Sequence, residues 1–382
     1  MENPFVYGKV VRGEAFADRE EEMAEVLADI ESGQNVILFS PRRYGKTSLI
    51  LEVLARAQDQ GLLTVYLDLF KVTSSDVFVA AFAKEVAGLY RGGARSILRK
   101  VRSLLPRLVP KVAIKGERAD LELEFEFDPR GDRAPLLDDL FEATERVCQE
   151  QGKRGVVAFD EFQELATWDE GGQVERQMRS HFQLHKRVSY VFMGSKRHLM
   201  EEIFQNKNRP FYRFGRHLPL AKIPQERFAQ FVTDRFRQTG VQVEQEAVQE
   251  ILRITDNHPY YTQLLCHILW DRFRDRGPIG REAVAAGAEE VFSREAHAFH
   301  NLWDMLPSQA RQLLVALANA SGPTVQIYAR EFLLQHGLGP ASSLQRAVAR
   351  LLADEVLEKT NGGYQFTDVF FQRWIEQQFN SP

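Results

Sequence analysis

The sequence predicts an α/β fold: a parallel sheet covered by helices, then a helical region, and finally a winged-helix module. Three observations favour this fold. Short apolar runs alternate with helical patterns up to residue 222, strands then stop, and residues 301–382 combine three helical patterns with a tight hairpin. The 382 residues are enough for two or three domains of ordinary size.

Five apolar runs are predicted to form the strands of the sheet. They are short, rich in β-branched or aromatic residues, and mostly separated by helical patterns, which is typical of strands buried on both faces. A helix over residues 15–32 precedes the first strand. The strands are predicted at residues 35–40, 63–69, 155–160, 188–194 and 217–220.

An insertion, residues 91–133, separates the second strand from the third. Its first part, residues 91–118, contains nine Arg and Lys residues and one acidic residue, Glu117. Strict alternation over residues 121–127 predicts a strand with one acidic face. The basic part is interpreted either as a nucleic-acid contact or as a solvated helical face that pairs with this acidic strand.

The remaining chain is predicted to be helical until its final hairpin. Helical periodicity covers residues 226–232, 247–254 and 261–270, and later residues 330–336 and 343–354. Two short strands are predicted within residues 356–366, around an Asn-Gly-Gly turn. We therefore predict three domains: residues 1–222 with the sheet, 223–300 as a helical lid, and 301–382 as the winged helix.

Residues 40–47 match a phosphate-binding loop, except that Ser40 stands where the first glycine is usual. A strand is predicted to end at Ser40 and a helix to begin near Thr47, so loop amides and the helix end would converge on phosphate oxygens. Lys46 would neutralise the β- and γ-phosphates, and the Thr47 hydroxyl would bind Mg²⁺. The competing interpretation is an ordinary surface turn. The predicted nucleotide-binding residues of this segment are Ser40, Pro41, Arg42, Arg43, Tyr44, Gly45, Lys46, Thr47 and Ser48.

Two carboxylates, Asp160 and Glu161, end the third predicted strand. This places them at the carboxyl edge of the sheet, where open α/β folds bind ligands. Asp160 is predicted to hold Mg²⁺ through water, and Glu161 to orient and polarise the attacking water. Adjacent acids after a strand are often only a solvated strand end, but here they follow a phosphate loop in the expected chain order.

Three further residues are candidates for catalysis. Ser195 ends the fourth strand and would sense the γ-phosphate or the water; the alternative is a helix N-cap. Arg213 and Arg216 precede the fifth strand, where oligomeric ATPases place an arginine finger that acts in a neighbour's site. Exposed loop arginines usually do no chemistry, so both interpretations stay open.

Several motifs together resemble the archaeal-type ATPase family, which belongs to the AAA+/STAND group of P-loop ATPases (ASCE type) and is related to origin-recognition initiators. The similarity covers nearly the whole chain, including Phe366-Thr-Asp368 and Phe371-Gln-Arg-Trp374 in the winged helix. The motifs that carry it are Asn3-Pro-Phe-Val-Tyr-Gly8, Phe16-Ala-Asp-Arg19, Pro41-Arg-Arg-Tyr-Gly-Lys-Thr-Ser48-Leu49, Phe159-Asp-Glu-Phe162, Phe192-Met-Gly-Ser195 and Asn257-His-Pro-Tyr-Tyr261.

The resemblance implies an Mg²⁺-dependent ATPase whose nucleotide site includes residues outside the loop. Tyr7, Phe16 and Arg19 would pack on the adenine side, and His258 with Pro259 would lie at the lid near the base. Asn257 replaces the glycine that the STAND group has before this proline, and an asparagine tolerates positive φ. With Ser40 and Asn257 departing from the family pattern, we expect a slow, switch-like ATPase.

Composition limits the partners and the location of the protein. With 49 Lys and Arg against 53 Asp and Glu, the net charge is −4, so any surface for nucleic acid must be local. The two cysteines predict neither a disulfide framework nor a four-ligand metal site. No secretory signal and no membrane-spanning run is recognised, and we expect a cytoplasmic protein without a membrane partner.

Two functions remain open at the level of the sequence. In the first, residues 91–118 and the winged helix bind DNA under the control of ATP. In the second, lid and winged helix form a nucleotide-controlled switch whose output is a protein partner or a homo-oligomer. Residues 301–382 contain six Arg and Lys against seven Asp and Glu, which argues against the winged helix as the only DNA contact.

Overall fold

The structure is a computed structural model that describes residues 2–13, 16–17, 19–91, 94–115, 120–126, 133–169, 171–320, 325–360 and 363–379. By their contacts the residues form two compact units. The sheet unit comprises residues 19–40 and 46–220, and the helical unit comprises residues 1–18, 41–45 and 221–382.

Helices and strands alternate along the sheet unit. In chain order they are α1 (Glu20–Ser32), β1 (Val36–Phe39), α2 (Lys46–Asp59), β2 (Leu63–Asp68), α3 (Ser75–Gly88), α4 (Ala94–Leu104), β3 (Val109–Lys115), β4 (Asp120–Glu126), α5 (Arg133–Gln151), β5 (Gly155–Asp160), α6 (Leu165–Trp168), α7 (Gln173–Phe182), β6 (Val188–Gly194), α8 (Arg197–Gln205) and β7 (Arg216–Pro219). Single 3₁₀ turns at Leu69–Lys71 and Phe162–Glu164 follow β2 and β5.

Five strands form one parallel sheet in the order β2-β5-β6-β1-β7, which confirms the predicted fold class. Every residue of β1, β5 and β6 is buried, as their continuous apolar runs require. In this order β6 lies between β1 and β5, which carry the phosphate loop and the two carboxylates. Phe39 is in register with Gly194, and Phe159 with Phe192, so these three strands end at the same edge.

Aromatic side chains hold the ends of β5 and β6 together inside the sheet unit. The Phe159 ring is fully buried and stacks on Phe192, with ring centroids 5.8 Å apart, and on Tyr190 at 6.4 Å. Phe162, in the turn after β5, packs edge-on against Phe192 at 4.7 Å. Such pairs stabilise the core beyond simple area burial. The segment that carries Asp160 and Glu161 is therefore anchored on both sides.

The insertion differs in part from its prediction. Its first half is helix α4, with Val101 and Leu104 buried, but β3 follows and pairs antiparallel with the acidic strand β4. We did not predict β3, because Pro110 interrupts an otherwise short apolar run. The backbone thus brings the basic segment and the acidic strand together as a hairpin. Glu117, Arg118 and Phe127 lie outside the described residues.

The described part of the helical unit contains four helices after the sheet and then a winged-helix arrangement. Its elements are α9 (Gln225–Gln238), α10 (Gln245–Thr255), α11 (Pro259–Phe273), α12 (Arg281–Met305), α13 (Ser308–Ala318), α14 (Arg330–Gln335), α15 (Ala341–Ala353), β8 (Leu357–Thr360), β9 (Gly363–Phe366) and α16 (Val369–Phe379). The strands β8 and β9 pair antiparallel, as predicted. The Asn361-Gly362 part of the turn between them lies outside the described residues.

One hydrophobic core runs through the helical unit from Phe5 and Phe228 to Ile375. Helix α12 continues across residues 300 and 301, because its apolar positions keep their helical spacing through the predicted boundary between lid and winged helix. The division into three domains stays a prediction.

Among the described residues no helix is both long and apolar enough to cross a lipid bilayer. Cys148 and Cys266 are both buried and free.

Candidate nucleotide site

The base of the loop has the predicted strand–loop–helix geometry. Strand β1 ends at Phe39 and α2 begins at Lys46, whose buried Nζ donates a hydrogen bond to the Ser40 carbonyl at 2.9 Å. The Ser40 N–H donates to the Gly194 carbonyl at 3.5 Å, which ties the end of β1 to the end of β6. Gly45 has a φ of 87°, a conformation that favours glycine. The first turn of α2 thus follows the loop directly.

Thr47 and Asp160 meet at the carboxyl edge of the sheet. The Thr47 hydroxyl donates to Asp160 Oδ2 at 2.8 Å, and the Tyr66 hydroxyl donates to the same oxygen at 2.8 Å. Burial raises the pKa of Asp160 above its ordinary value, and the hydrogen bonds from Thr47 and Tyr66 oppose that shift. Burial and the neighbouring Asp160 raise the pKa of Tyr66, so its hydroxyl stays a donor.

This pair of oxygens fits a magnesium ion. Mg²⁺ prefers oxygen ligands and usually keeps several waters. The Thr47 hydroxyl would bind the ion, and Asp160, hydrogen-bonded to that hydroxyl at 2.8 Å, would hold the ion through one of its waters. Asp160 is buried and forms no ion pair within the described part of the chain, and such a carboxylate gains most from a bound cation. Thr47 and Asp160 are therefore chemically suited to the metal role, which stays a prediction.

Glu161 is held at a single carboxylate oxygen. Its Oε2 accepts hydrogen bonds from the Ser195 hydroxyl at 2.8 Å, from the Ser195 N–H at 3.4 Å and from the Gln163 side-chain amide. The Glu161 backbone has a φ of 51°, an uncommon conformation for a residue other than glycine. Strained backbone of this kind is concentrated at functional sites. Ser195 therefore contacts the predicted water-orienting group directly.

The tip of the loop, residues 41–45, belongs to the helical unit by its contacts. Arg42 forms an ion pair with Glu355, 2.7 Å between Nε and Oε2. The Arg43 guanidinium lies 4.2 Å above the Tyr260 ring, and its Nη1 is 3.9 Å from Glu295 Oε2. Both arginine side chains thus form ion pairs with glutamates of the helical unit. The groups of Arg42 and Arg43 that are best suited to bind phosphate are therefore their backbone N–H groups.

His258 and Pro259 begin α11, with Pro259 in the first turn, where a missing N–H costs nothing. The His258 ring lies 5.0 Å from the Tyr44 ring, both in the helical unit. Burial and the nearby Arg43 lower the pKa of His258 to about 3, so the imidazole is neutral at physiological pH. Its Nδ1 is buried and has no hydrogen-bond partner among the described residues. A neutral, unpaired ring nitrogen beside an aromatic ring fits a nucleobase. Asn257 has the expected positive φ, 54°.

The other residues predicted near adenine are distributed over both units. In the helical unit, Tyr7 packs edge-on against His267 at 5.1 Å and Tyr260 at 6.0 Å, and the partly buried Phe16 donates its N–H to the Gly13 carbonyl. In the sheet unit, Arg19 is buried and bonds Glu22 at 2.6 Å, while its Nη2 has no partner among the described residues. Their contact with a base stays a prediction. The buried Ser48, next to Thr47 in α2, stays a predicted nucleotide-binding residue.

Of the two candidate finger residues, Arg216 lies away from the carboxylates. Arg216 starts β7 in register with Val36, at the opposite edge of the sheet from Asp160, and it pairs with Glu25 and with Asp29. Arg213 is exposed, has a φ of 53°, and lies over the neighbouring Tyr212 ring. This placement argues against catalysis by Arg216 within its own chain. A role in a neighbouring chain stays a prediction for both.

Two residues of the site were not predicted from the sequence, Tyr66 and Gln163. Tyr66 lies on β2, which the sheet order places beside β5. Gln163 is fully buried in the turn after β5. The sequence shows only that Tyr66 is a polar residue in a mostly apolar strand and that Gln163 lies between Phe162 and Glu164. Neither observation identifies the residue that Tyr66 or Gln163 contacts, because that depends on the order of the strands.

Comparison with known families identifies the group to which the chain belongs. Residues 16–265 match the ATPase domain found predominantly in Archaea, and residues 297–377 match a probable winged helix domain. The chain belongs to this archaeal ATPase family. It is a P-loop ATPase with a C-terminal winged helix, and nucleotide binding follows from that membership.

Solved structures support the fold of this ATPase. The Walker-type ATPase PABY2304 of Pyrococcus abyssi superposes with a TM-score of 0.68 at 19% sequence identity, covering 98% of this chain and 99% of that one. The ORC2 protein of Aeropyrum pernix, solved as ADPNP–ADP complexes, has a TM-score of 0.52 at 14% identity, with 94% of each chain covered. No curated protein matches the sequence.

Proposed function

We propose that this ATPase binds ATP with Mg²⁺, hydrolyses it slowly to ADP and phosphate, and acts as a nucleotide-controlled switch coupled to DNA binding or remodelling. The observation that carries the hydrolytic part is the meeting of Thr47, Asp160, Glu161 and Ser195 at one edge of the sheet. A hydroxyl–carboxylate pair and a second, separately held carboxylate are the parts that phosphoryl transfer to water requires.

Each residue has a distinct task in this proposal. Lys46 leaves the Ser40 carbonyl and neutralises the β- and γ-phosphates, while the amides of the loop and of the first turn of α2 donate to phosphate oxygens. Glu161 orients the attacking water through the carboxylate oxygen that Ser195 and Gln163 do not hold. His258 receives the base. Thr47 and Asp160 would hold Mg²⁺, which supplies positive charge to the γ-phosphate as negative charge builds up there.

Removal of the metal is expected to stop phosphate release. EDTA in excess should reduce the rate with ATP to background, and Asp160→Asn should lower it about 100-fold, because the site loses the charge that attracts the ion. Phosphate release by the intact protein with and without MgCl₂ measures the effect. Asp59→Asn, an exposed aspartate at the end of α2, is the matched control. Metal-independent turnover would contradict the assignment of Thr47 and Asp160.

A slow rate is proposed from two features of the sequence. Ser40 replaces the first glycine of the loop, and Asn257 replaces the glycine before Pro259. A slow turnover suits a switch that spends long periods in each nucleotide state.

The DNA part of the proposal rests on helix α4. This helix contains four basic residues and no acidic one, and Arg99, Lys100 and Arg102 are exposed while Val101 is buried. Lys100 lies 5.0 Å above the Tyr90 ring, which leaves its charge at the surface. A row of cations on one exposed helix face is the usual means of contacting a phosphate backbone without reading its sequence.

Binding to duplex DNA is expected to weaken steeply as salt rises. Each phosphate contact contributes about −0.9 to the slope of log K against log [salt], so reversing Arg99, Lys100 and Arg102 to glutamate should flatten the slope by about 3 units. Fluorescence anisotropy of a labelled duplex between 50 and 300 mM salt gives both slopes. Reversal of the exposed Lys153, Lys207 and Arg276 is the control, because it changes the net charge equally. Absence of binding at low salt would remove the DNA proposal.

The alternative is a STAND-like signalling or assembly switch whose winged helix binds a protein. Helix α15 supports it: Leu344, Val348 and Leu351 are buried, but on its exposed side Arg350 is paired with Asp354 at 3.1 Å, which reduces the charge available to DNA. A homo-oligomer would give Arg213 and Arg216 a neighbouring site on which to act. The two free, buried cysteines support a reducing cytoplasm as the location.

A further inference from the structure

Gln163 is a buried polar side chain beside the predicted water-orienting carboxylate. It is 0% exposed and lies in the 3₁₀ turn that follows β5. Its side-chain amide donates to Glu161 Oε2, the oxygen that also accepts from the Ser195 hydroxyl at 2.8 Å. Donors from two different elements, the turn after β5 and the end of β6, therefore converge on one oxygen atom.

The chemistry of the amide fixes which of its ends faces Glu161. An ionised carboxylate only accepts hydrogen bonds, so the NH₂ group of Gln163 must point toward it; the reverse orientation would oppose two acceptors. In this orientation the Gln163 carbonyl oxygen is buried and has no hydrogen-bond partner among the described residues. Burial of an unpaired carbonyl costs free energy that a methionine or leucine of similar size would avoid. The packing of the core therefore gives no reason for a glutamine here.

The neighbouring strand is shaped to admit the glutamine. A Cβ atom built on Gly194, the last residue of β6, would overlap the Gln163 carbonyl oxygen and the Met200 side chain. The φ of Gly194 is not one that requires glycine. The absence of a side chain at this position therefore provides room for Gln163, next to the serine that shares its acceptor.

From these observations we propose that Gln163 is a positioning residue for hydrolysis. Together with Ser195 it fixes Glu161 by Oε2 and so leaves the other oxygen, Oε1, to receive a hydrogen bond from the attacking water. The inference rests on the proposed role of Glu161, and it adds a residue that touches neither nucleotide nor metal. Gln163 acts only through the orientation of Glu161.

Replacement by methionine is the first test. Gln163→Met keeps the length of the side chain and removes the donor, so kcat for ATP should fall about 10- to 100-fold, as for misplacement of a catalytic group by about 1 Å. The KM for ATP and the affinity for a fluorescent ATP analogue should stay within twofold, because no contact with nucleotide is lost. Gln177→Met is the matched control: Gln177 donates to the Ala134 carbonyl and to Asp138, and within the described part of the chain it makes no hydrogen bond with Glu161.

Replacement by glutamate separates a positioning role from a packing role. The carboxyl group introduced by Gln163→Glu has the shape of the amide, but when ionised it repels Glu161, and when protonated it donates a hydrogen bond as the amide does. The kcat of Gln163→Glu relative to the wild type should therefore rise as the pH falls from 8 to 6. The same ratio for Gln163→Met should stay flat, since methionine does not titrate.

The outcomes distinguish this inference from the proposed function. If the wild type releases phosphate and Glu161→Gln does not, but Gln163→Met keeps its kcat, the positioning role is wrong and the proposed function stands. A parallel pH response of the methionine and glutamate variants would overturn the role as well. If the wild type releases no phosphate with Mg–ATP, the proposed function itself fails.

Discussion

Lys46→Ala is expected to abolish nucleotide binding at micromolar concentrations. The Lys46 ammonium is buried at the base of the phosphate loop and donates to the Ser40 carbonyl at 2.9 Å, so it is already oriented toward the space between the end of β1 and the start of α2. In the complex, the Lys46 ammonium would form a buried charge pair with a phosphate of ATP. Loss of one partner of such a pair costs about 2–5 kcal/mol, which is a 30- to 5,000-fold increase in Kd. Titration with a fluorescent ATP analogue measures it directly.

The control for this substitution must remove an equal charge outside the site. Lys153→Ala does so at an exposed position before β5, and its Kd should match that of the wild type. Because alanine also deprives the Ser40 carbonyl of a donor, the melting temperature of both variants should be recorded, and Lys46→Arg should be included. An arginine restores charge and donors without the compact point charge of lysine, so we expect only partial recovery. A wild-type Kd in Lys46→Ala would exclude this loop as the phosphate site.

The core of the site was predictable because its signals are local. The loop at residues 40–47 and the acids Asp160 and Glu161 each follow an apolar strand, and parallel strands place their carboxyl ends at one edge. Ser195 was a candidate because it is a polar residue at the end of the fourth predicted strand. The structure brings Ser195 to 2.8 Å from Glu161, a contact that the chain order alone does not give.

What the sequence did not reveal depends on pairing between distant segments. Tyr66 reaches Asp160 only because β2 lies beside β5, and Gln163 shares its acceptor on Glu161 with Ser195 only because β6 lies beside β5. The strand β3 was missed because its partner, not its own composition, stabilises it. Arg216 has the right position in the chain for a finger, but pairing of β7 with β1 puts it at the far edge. Which side chains contact each other across a sheet depends on strand order and register, and these are difficult to predict from one sequence.

Glu161→Gln is expected to keep ATP bound and to lower its hydrolysis about 10²- to 10⁴-fold, the usual contribution of a general base. The hydrogen bonds around Glu161 decide how the new amide will lie. Ser195 and Gln163 both donate to Oε2, so the amide oxygen must occupy that position and the NH₂ group must take the place of Oε1. The group that faces the water then becomes a donor and cannot accept its proton. The glutamine has the same shape as Glu161 and packs in the same way, so ATP should still bind.

Single-turnover phosphate release and the nucleotide content of the purified variant test this expectation together. The variant should copurify with ATP, or retain added ATP for many wild-type turnover times, whereas the wild type should contain ADP. Glu164→Gln is the matched control: Glu164 is three residues further on and pairs with Lys196 at 3.1 Å, so it loses an ion pair outside the proposed water site and should turn over normally. Turnover of Glu161→Gln at the wild-type rate would mean that another group orients the water. Because the amide must present its NH₂ group where Oε1 was, such a result would also contradict the orientation that Ser195 and Gln163 impose.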